Sequence, residues 1–125
     1  MKKILIVDDD AALLLYLCCN LRKRFERLTI LSAKNGQRAV DIMSSHRIDM
    51  LITDLNMPVM DGFELLAHTA KNYPSVTVMV MTGNDSAEVS ERLLPFRVSQ
   101  CLAKPFGLDQ LLYELGEEID RLSGR

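Results

Sequence analysis

Five short, β-rich apolar runs alternate with five longer stretches of helical character along this chain, and few architectures accept that rhythm. The runs are Ile4–Val7, Leu28–Leu31, Met50–Thr53, Val76–Thr82 and Val98–Ala103. Between them lie Ala11–Phe25, Gln37–Ser45, Gly62–Asn72, Ser86–Leu94 and Leu108–Leu122. Turn chemistry marks the joins, notably Asn35-Gly36, Asp61-Gly62, Tyr73-Pro74 and Gly83-Asn84. Runs such as Ile4-Leu5-Ile6-Val7 and Val78-Met79-Val80-Met81 are apolar without a break, the mark of strands buried on both faces of a parallel sheet. The spacing predicts a doubly wound α/β domain, a five-stranded parallel sheet with helices above and below. At 125 residues nothing is left over for a second domain. Residues 1–125 therefore read as one unit, with no effector domain in this chain.

Composition narrows the function. Fifteen Lys+Arg face 17 Asp+Glu for a net charge of −2, without the basic excess that gripping nucleic-acid phosphate needs. No apolar run approaches the roughly 18–20 residues that cross a bilayer. Met1-Lys2-Lys3 and the run behind it start like a signal peptide, but Asp8-Asp9-Asp10 stand where a small-residue cleavage site belongs. The expectation is a cytoplasmic domain that contacts neither membrane nor nucleic acid directly. Three cysteines, without metal-ligand spacing, read as reduced thiols.

An open parallel sheet holds its ligand outside the carboxyl ends of its strands. Asp8-Asp9 follow the first strand, Asp54 closes the third, Thr82 the fourth and Lys104 the fifth. The second ends in Ser32-Ala33, without evident chemistry. Carboxylates converging on one edge repel each other and raise one another's pKa. A hard divalent cation is the commonest reason for keeping such a cluster. Mg2+ takes oxygen ligands, often one or two carboxylates with phosphate oxygens. Asp9 and Asp54 can supply them, with Asp8 acting directly or through water. Lys104 adds an opposing charge for a carboxylate or a phosphoryl oxygen, Thr82 adds a hydroxyl, and Gly83 leaves room. Such a set suits phosphoryl transfer onto the carboxylate, by in-line attack on phosphorus.

Four segments together resemble the receiver domains of two-component response regulators, over essentially the whole chain. They are Val7-Asp8-Asp9, Asp54-Leu55-Asn56-Met57-Pro58-Val59-Met60-Asp61-Gly62-Phe63-Glu64-Leu65, Met81-Thr82-Gly83 and Lys104-Pro105-Phe106. The resemblance implies a flavodoxin-like (βα)5 fold with strand order 2-1-3-4-5. It implies that Asp54 accepts the phosphoryl group, with Lys104 contacting that group and Thr82 hydrogen-bonding it. Asp9 and Asp54 would ligate Mg2+ through their side chains and Asn56 through its backbone carbonyl, Asp8 orienting a metal-bound water. A cis peptide before Pro105 is implied too. The implied partners are a histidine kinase or histidine phosphotransfer protein as donor, and a downstream effector met through the helix 4–strand 5–helix 5 face. There is room for a phosphorylation-dependent dimer. Such a domain catalyses only its own phosphorylation and dephosphorylation and is not otherwise an enzyme.

One departure stands out. The family usually carries Tyr or Phe three residues before the strand-5 lysine, and here that position is Cys101. A small thiol cannot sweep the same volume, which leaves two readings: a muted switch, or a tolerated variant with ordinary switching.

On helix 1, Leu13, Leu17 and Leu21 form one stripe and the expected core face. Leu14, Leu15 and Cys18 fall outside it, and Leu14 and Leu15 are the expected docking surface for the donor's helical bundle. Arg22-Lys23-Arg24 suit a helix C-terminus. His46 and His68 are expected at the surface with no phosphate-accepting role. Asn56 and Asn84 sit where water access to the acceptor is tuned. Two rival readings fare worse. A Mg2+ phosphohydrolase of the haloacid-dehalogenase type wants a second acid two residues after its nucleophile, and that position is Asn56, which cannot shuttle a proton. A flavodoxin-type cofactor site would set a phosphate against Asp8-Asp9-Asp10, which repel it.

Overall fold

The computed structural model describes residues 2–57, 60–83, 87–104 and 106–123. Strands and helices alternate as β1 (Lys3–Val7), α1 (Ala11–Arg24), β2 (Thr29–Ala33), α2 (Gly36–Ser45) and β3 (Met50–Asp54). Then follow α3 (Gly62–Asn72), β4 (Thr77–Thr82), α4 (Ala87–Leu93), β5 (Val98–Ala103) and α5 (Leu108–Ser123). The strands pair in parallel in the order β2-β1-β3-β4-β5, as expected. β2 starts and ends later than its apolar run because pairing decides its limits: Thr29 lies opposite Lys3 and Ala33 opposite Val7. Pro58 and Val59 of the long motif, Asn84, Ser86 and Pro105 with its implied cis peptide lie outside the described residues.

Strand position explains the burial patterns. β3, in the middle, is buried at every residue, and β1 and β4 at all but the first. The edge strands β2 and β5 alternate between covered and open positions. Ile4, Ile6, Met50, Ile52, Met79 and Met81 face one layer with α1 and α5. Leu5, Val7, Leu51, Val78 and Val80 face the other, against α2 and α3. Each fully buried leucine or isoleucine contributes about 1.5–3 kcal/mol over its exposed state.

Helix 1 corrects the sequence reading. Its buried residues are Leu14, Leu17, Cys18 and Leu21, and Leu13 is only half-buried at the margin. A helix lying on a sheet buries an arc repeating at i, i+3, i+4 and i+7, and the straight i, i+4, i+8 line through Leu13 drifts off it. Leu14 is therefore core and unavailable for docking, while Leu15 is 66% exposed as expected. Arg22 does more than favour the helix terminus: its guanidinium donates to the Ile30 carbonyl at 2.9 Å, covering part of the β2 edge. His46 is exposed, and His68 is half-buried against Tyr73.

Candidate functional site

The site grows from the carboxyl ends of β1, β3, β4 and β5. Beyond β1 the Asp8 N–H donates to the Ala33 carbonyl at 3.2 Å, so Asp8 leaves the sheet still buried. Its Oδ1 accepts from the Asp10 N–H at 2.9 Å. Asp10 caps α1, accepting from the Leu13 N–H at 3.1 Å, which turns the chain away and leaves Asp9 exposed between them. Asp10 is thus a helix cap, and Asp8, Asp9 and Asp54 form the acidic cluster. One carboxylate oxygen from each of the three lies within 4.8 Å of the others.

Asp54 ends β3, only 5% exposed, and its Oδ1 accepts from the Asn56 N–H at 3.3 Å. Lys104 reaches across from the end of β5. Its Nζ donates to Asp8 Oδ2 at 2.8 Å and lies 3.3 Å from Asp54 Oδ2. The Lys104 N–H donates to the Thr82 carbonyl, which ties the last strand end to its neighbour and keeps Thr82 buried beside the cluster. Among the described residues a Cβ built on Gly83 would meet nothing within 4 Å.

Electrostatics follow from burial. Desolvation pushes the Asp54 carboxyl above its ordinary range, and the Asp8 charge adds to the rise while Lys104 opposes it. Desolvation alone would lower the Lys104 ammonium, but the hydrogen bond and charge of Asp8, with the charge of Asp54, outweigh it and hold it raised. Lys104 is therefore a fixed cation. Among the described residues, three carboxylates against that one ammonium leave two negative charges, the complement of one divalent cation. The donors are all hard oxygens, which suits Mg2+.

The structure thus brings together Asp8, Asp9, Asp54, Lys104 and Thr82, and sets Asn56 beside Asp54. Cys101 lies opposite Val80 in the pairing with β4 and is exposed, in a cleft it shares with Leu93 and Leu94. Gly62 also shapes the site. Its N–H donates to the Leu55 carbonyl at 2.9 Å, and a Cβ there would lie 2.4 Å from the Asp54 carbonyl oxygen. The Asp61-Gly62 pair marked it only as a turn.

Residues 4–115 match the family model for the response regulator receiver domain. The chain belongs to that family. Among solved structures, a CheY-like receiver domain from Methanospirillum hungatei JF-1 superposes with a TM-score of 0.89 at 28% identity, covering 99% of this chain and 98% of that one. The response regulator TrrA of Thermotoga maritima, solved in complex with Mg2+ and BeF, gives 0.80 at 25% identity, covering 94% and 98%. The heme response regulator HssR of Staphylococcus aureus (strain Newman) is 29% identical over 121 residues, 97% of this chain and 53% of HssR. The chain spans about half the length of the curated relatives it matches. As a receiver domain it belongs to two-component signalling, in which such domains take signals from histidine kinases to effectors, and its acidic cluster fits the phosphorylation site. A receiver domain is a switch rather than an enzyme in the ordinary sense. Among the described residues no helix is long and apolar enough to cross a membrane.

Proposed function

We propose that this receiver accepts a phosphoryl group on Asp54 from the phosphohistidine of a histidine kinase or histidine phosphotransfer protein. The observation that carries the reading is the ammonium of Lys104 held between Asp8 and Asp54, in a cluster that among the described residues still carries two uncompensated charges. An Asp54 oxygen attacks phosphorus, forming the O–P bond as the P–N bond to the donor imidazole breaks and its electrons leave on nitrogen. Lys104, already beside Asp54 Oδ2, pairs with the transferred oxygens, and the Thr82 hydroxyl donates to them. Asp8, Asp9, Asp54 and the backbone carbonyl of Asn56 would hold Mg2+, whose chemistry is to neutralise charge on the phosphoryl oxygens during transfer. Loss of the group is the reverse balance, with water attacking phosphorus and Asp54 leaving.

Output then passes through α4, β5 and α5. α4 carries no buried residue, so new bonds at Thr82 meet little resistance in moving it. The exposed Leu15 of α1 is the residue offered to the donor. We read residues 1–125 as one receiver domain, working in the cytoplasm. Intact mass after incubation with acetyl phosphate tests the assignment. One phosphoryl adduct that requires Mg2+ and vanishes in Asp54→Asn is the expected result. An adduct that survives Asp54→Asn overturns it.

A further inference from the structure

Charge is unevenly spread over this chain, and the imbalance has a shape. Residues 20–47 hold seven Lys or Arg against two acids, whereas α5 holds five acids against one Arg. On the basic side a groove of about 400 Å3 runs along the β2 edge, between α1 and the start of α2. Leu15 is its exposed apolar wall, over the buried Leu14 and Cys18, and Arg22, Lys34 and Arg38 stand around it. Arg22 is held in place by the Ile30 carbonyl. Tyr16, the next exposed apolar residue, takes no part in the groove.

The acidic side offers a matching ridge. Asp109, Tyr113, Glu117 and Asp120 are exposed, and their spacing of i, i+4, i+8 and i+11 puts them on one narrow stripe of α5. Tyr113 is 67% exposed, an aromatic anchor with carboxylates on either side. From Leu15 to Arg22 and from Tyr113 to Asp120 the rise is the same, about 10 Å.

We propose that the groove receives α5 of a second copy of this chain, with Tyr113 over Leu15 and the three carboxylates of the stripe facing Arg22, Lys34 and Arg38. α1 and α5 cover the same face of the sheet, so a two-fold arrangement lets each copy's helix meet the other's groove. Reciprocity doubles the contact, which a single helix in a groove needs to clear the roughly 1,000 Å2 of a stable interface, and it closes the assembly at two. The contact involves neither Asp54 nor Lys104 and is independent of phosphorylation. Because it covers Leu15, the dimer and the donor complex exclude each other.

Sedimentation velocity without Mg2+ or phosphodonor tests this apart from the phosphoacceptor reading. A concentration-dependent dimer at low salt is expected, dissociating toward about 1 M salt as screening shortens to roughly 3 Å. Arg38→Glu, Glu117→Lys and Tyr113→Ser should each weaken it about tenfold or more. All three positions are exposed, so folding is checked directly by circular dichroism. Mixing Arg38→Glu with Glu117→Lys restores one unaltered contact and one charge-reversed contact in the same dimer, and should recover association. A wild-type monomer up to about 1 mM, or a dimer indifferent to these changes, overturns the proposal.

Discussion

A methyl group has no place at position 62. An alanine Cβ there would lie 2.4 Å from the Asp54 carbonyl oxygen and 2.5 Å from the Leu55 Cα, and both belong to the backbone. Gly62→Ala should therefore lower the unfolding free energy by about 1–3 kcal/mol, read as a lower urea midpoint at unchanged slope. Since the displaced backbone carries Asp54, the rate of adduct formation should fall with it. Cys18 gives a second residue-level prediction. Burial pushes its thiol above the ordinary 9.0, and the nearby Arg22 charge and Ser32 hydrogen bond only partly offset this. The unfolded chain releases that proton at lower pH than the folded one. The contribution of Cys18 to stability is thus complete below pH 9.0 and is lost as pH rises through the raised folded value. Urea midpoints measured between about pH 8 and about pH 10 should fall, and Cys18→Ala should flatten that fall. A thiol reagent should label the exposed Cys19 and Cys101 well before Cys18.

At the scale of elements, α4 is held unlike the other helices. It has no buried residue; Val89 and Leu93 rest on the core only partly buried, and the Arg92 guanidinium lies 3.7 Å above the Phe63 ring of α3. A double-mutant cycle with Arg92→Ala and Phe63→Leu should show a coupling of about 0.5–1 kcal/mol. Amide exchange in α4 should quicken in either single variant while the central strands stay protected. The weak hold of α4 also shows what a sequence conceals. Continuous apolar runs announced the three central strands, because burial on both faces leaves no alternation to misread. Helix 1 was harder: Ala11 to Leu21 is apolar almost all round, so its pattern does not choose between the Leu13 line and the true arc through Leu14 and Cys18. Contact with β1 and β2 makes that choice, and no residue of the helix records it.

For the molecule as a whole, the site works against the fold until it is filled. Ionised Asp54 sits beside Asp8 in a desolvated place, which is why its carboxyl resists ionisation. Asp54→Asn should accordingly raise the melting temperature in the absence of metal. Mg2+ should raise that of the wild type, by about 2.7 kcal/mol of stability at a hundredfold excess over its Kd, and lose much of this effect in the variant. The aspartates and the lysine were legible because strand ends fix their position, whereas the bond between Lys104 and Asp8, and its closeness to Asp54, depend on side-chain reach past the two strands between β5 and β1. That bond joins residues 96 positions apart. Contacts of such separation await closure of nearly the entire chain. Until β5 has joined the sheet, the acceptor lacks its cation. Competence to take up phosphate is therefore acquired last, and a half-made or partly unfolded copy stays silent instead of sending a false message.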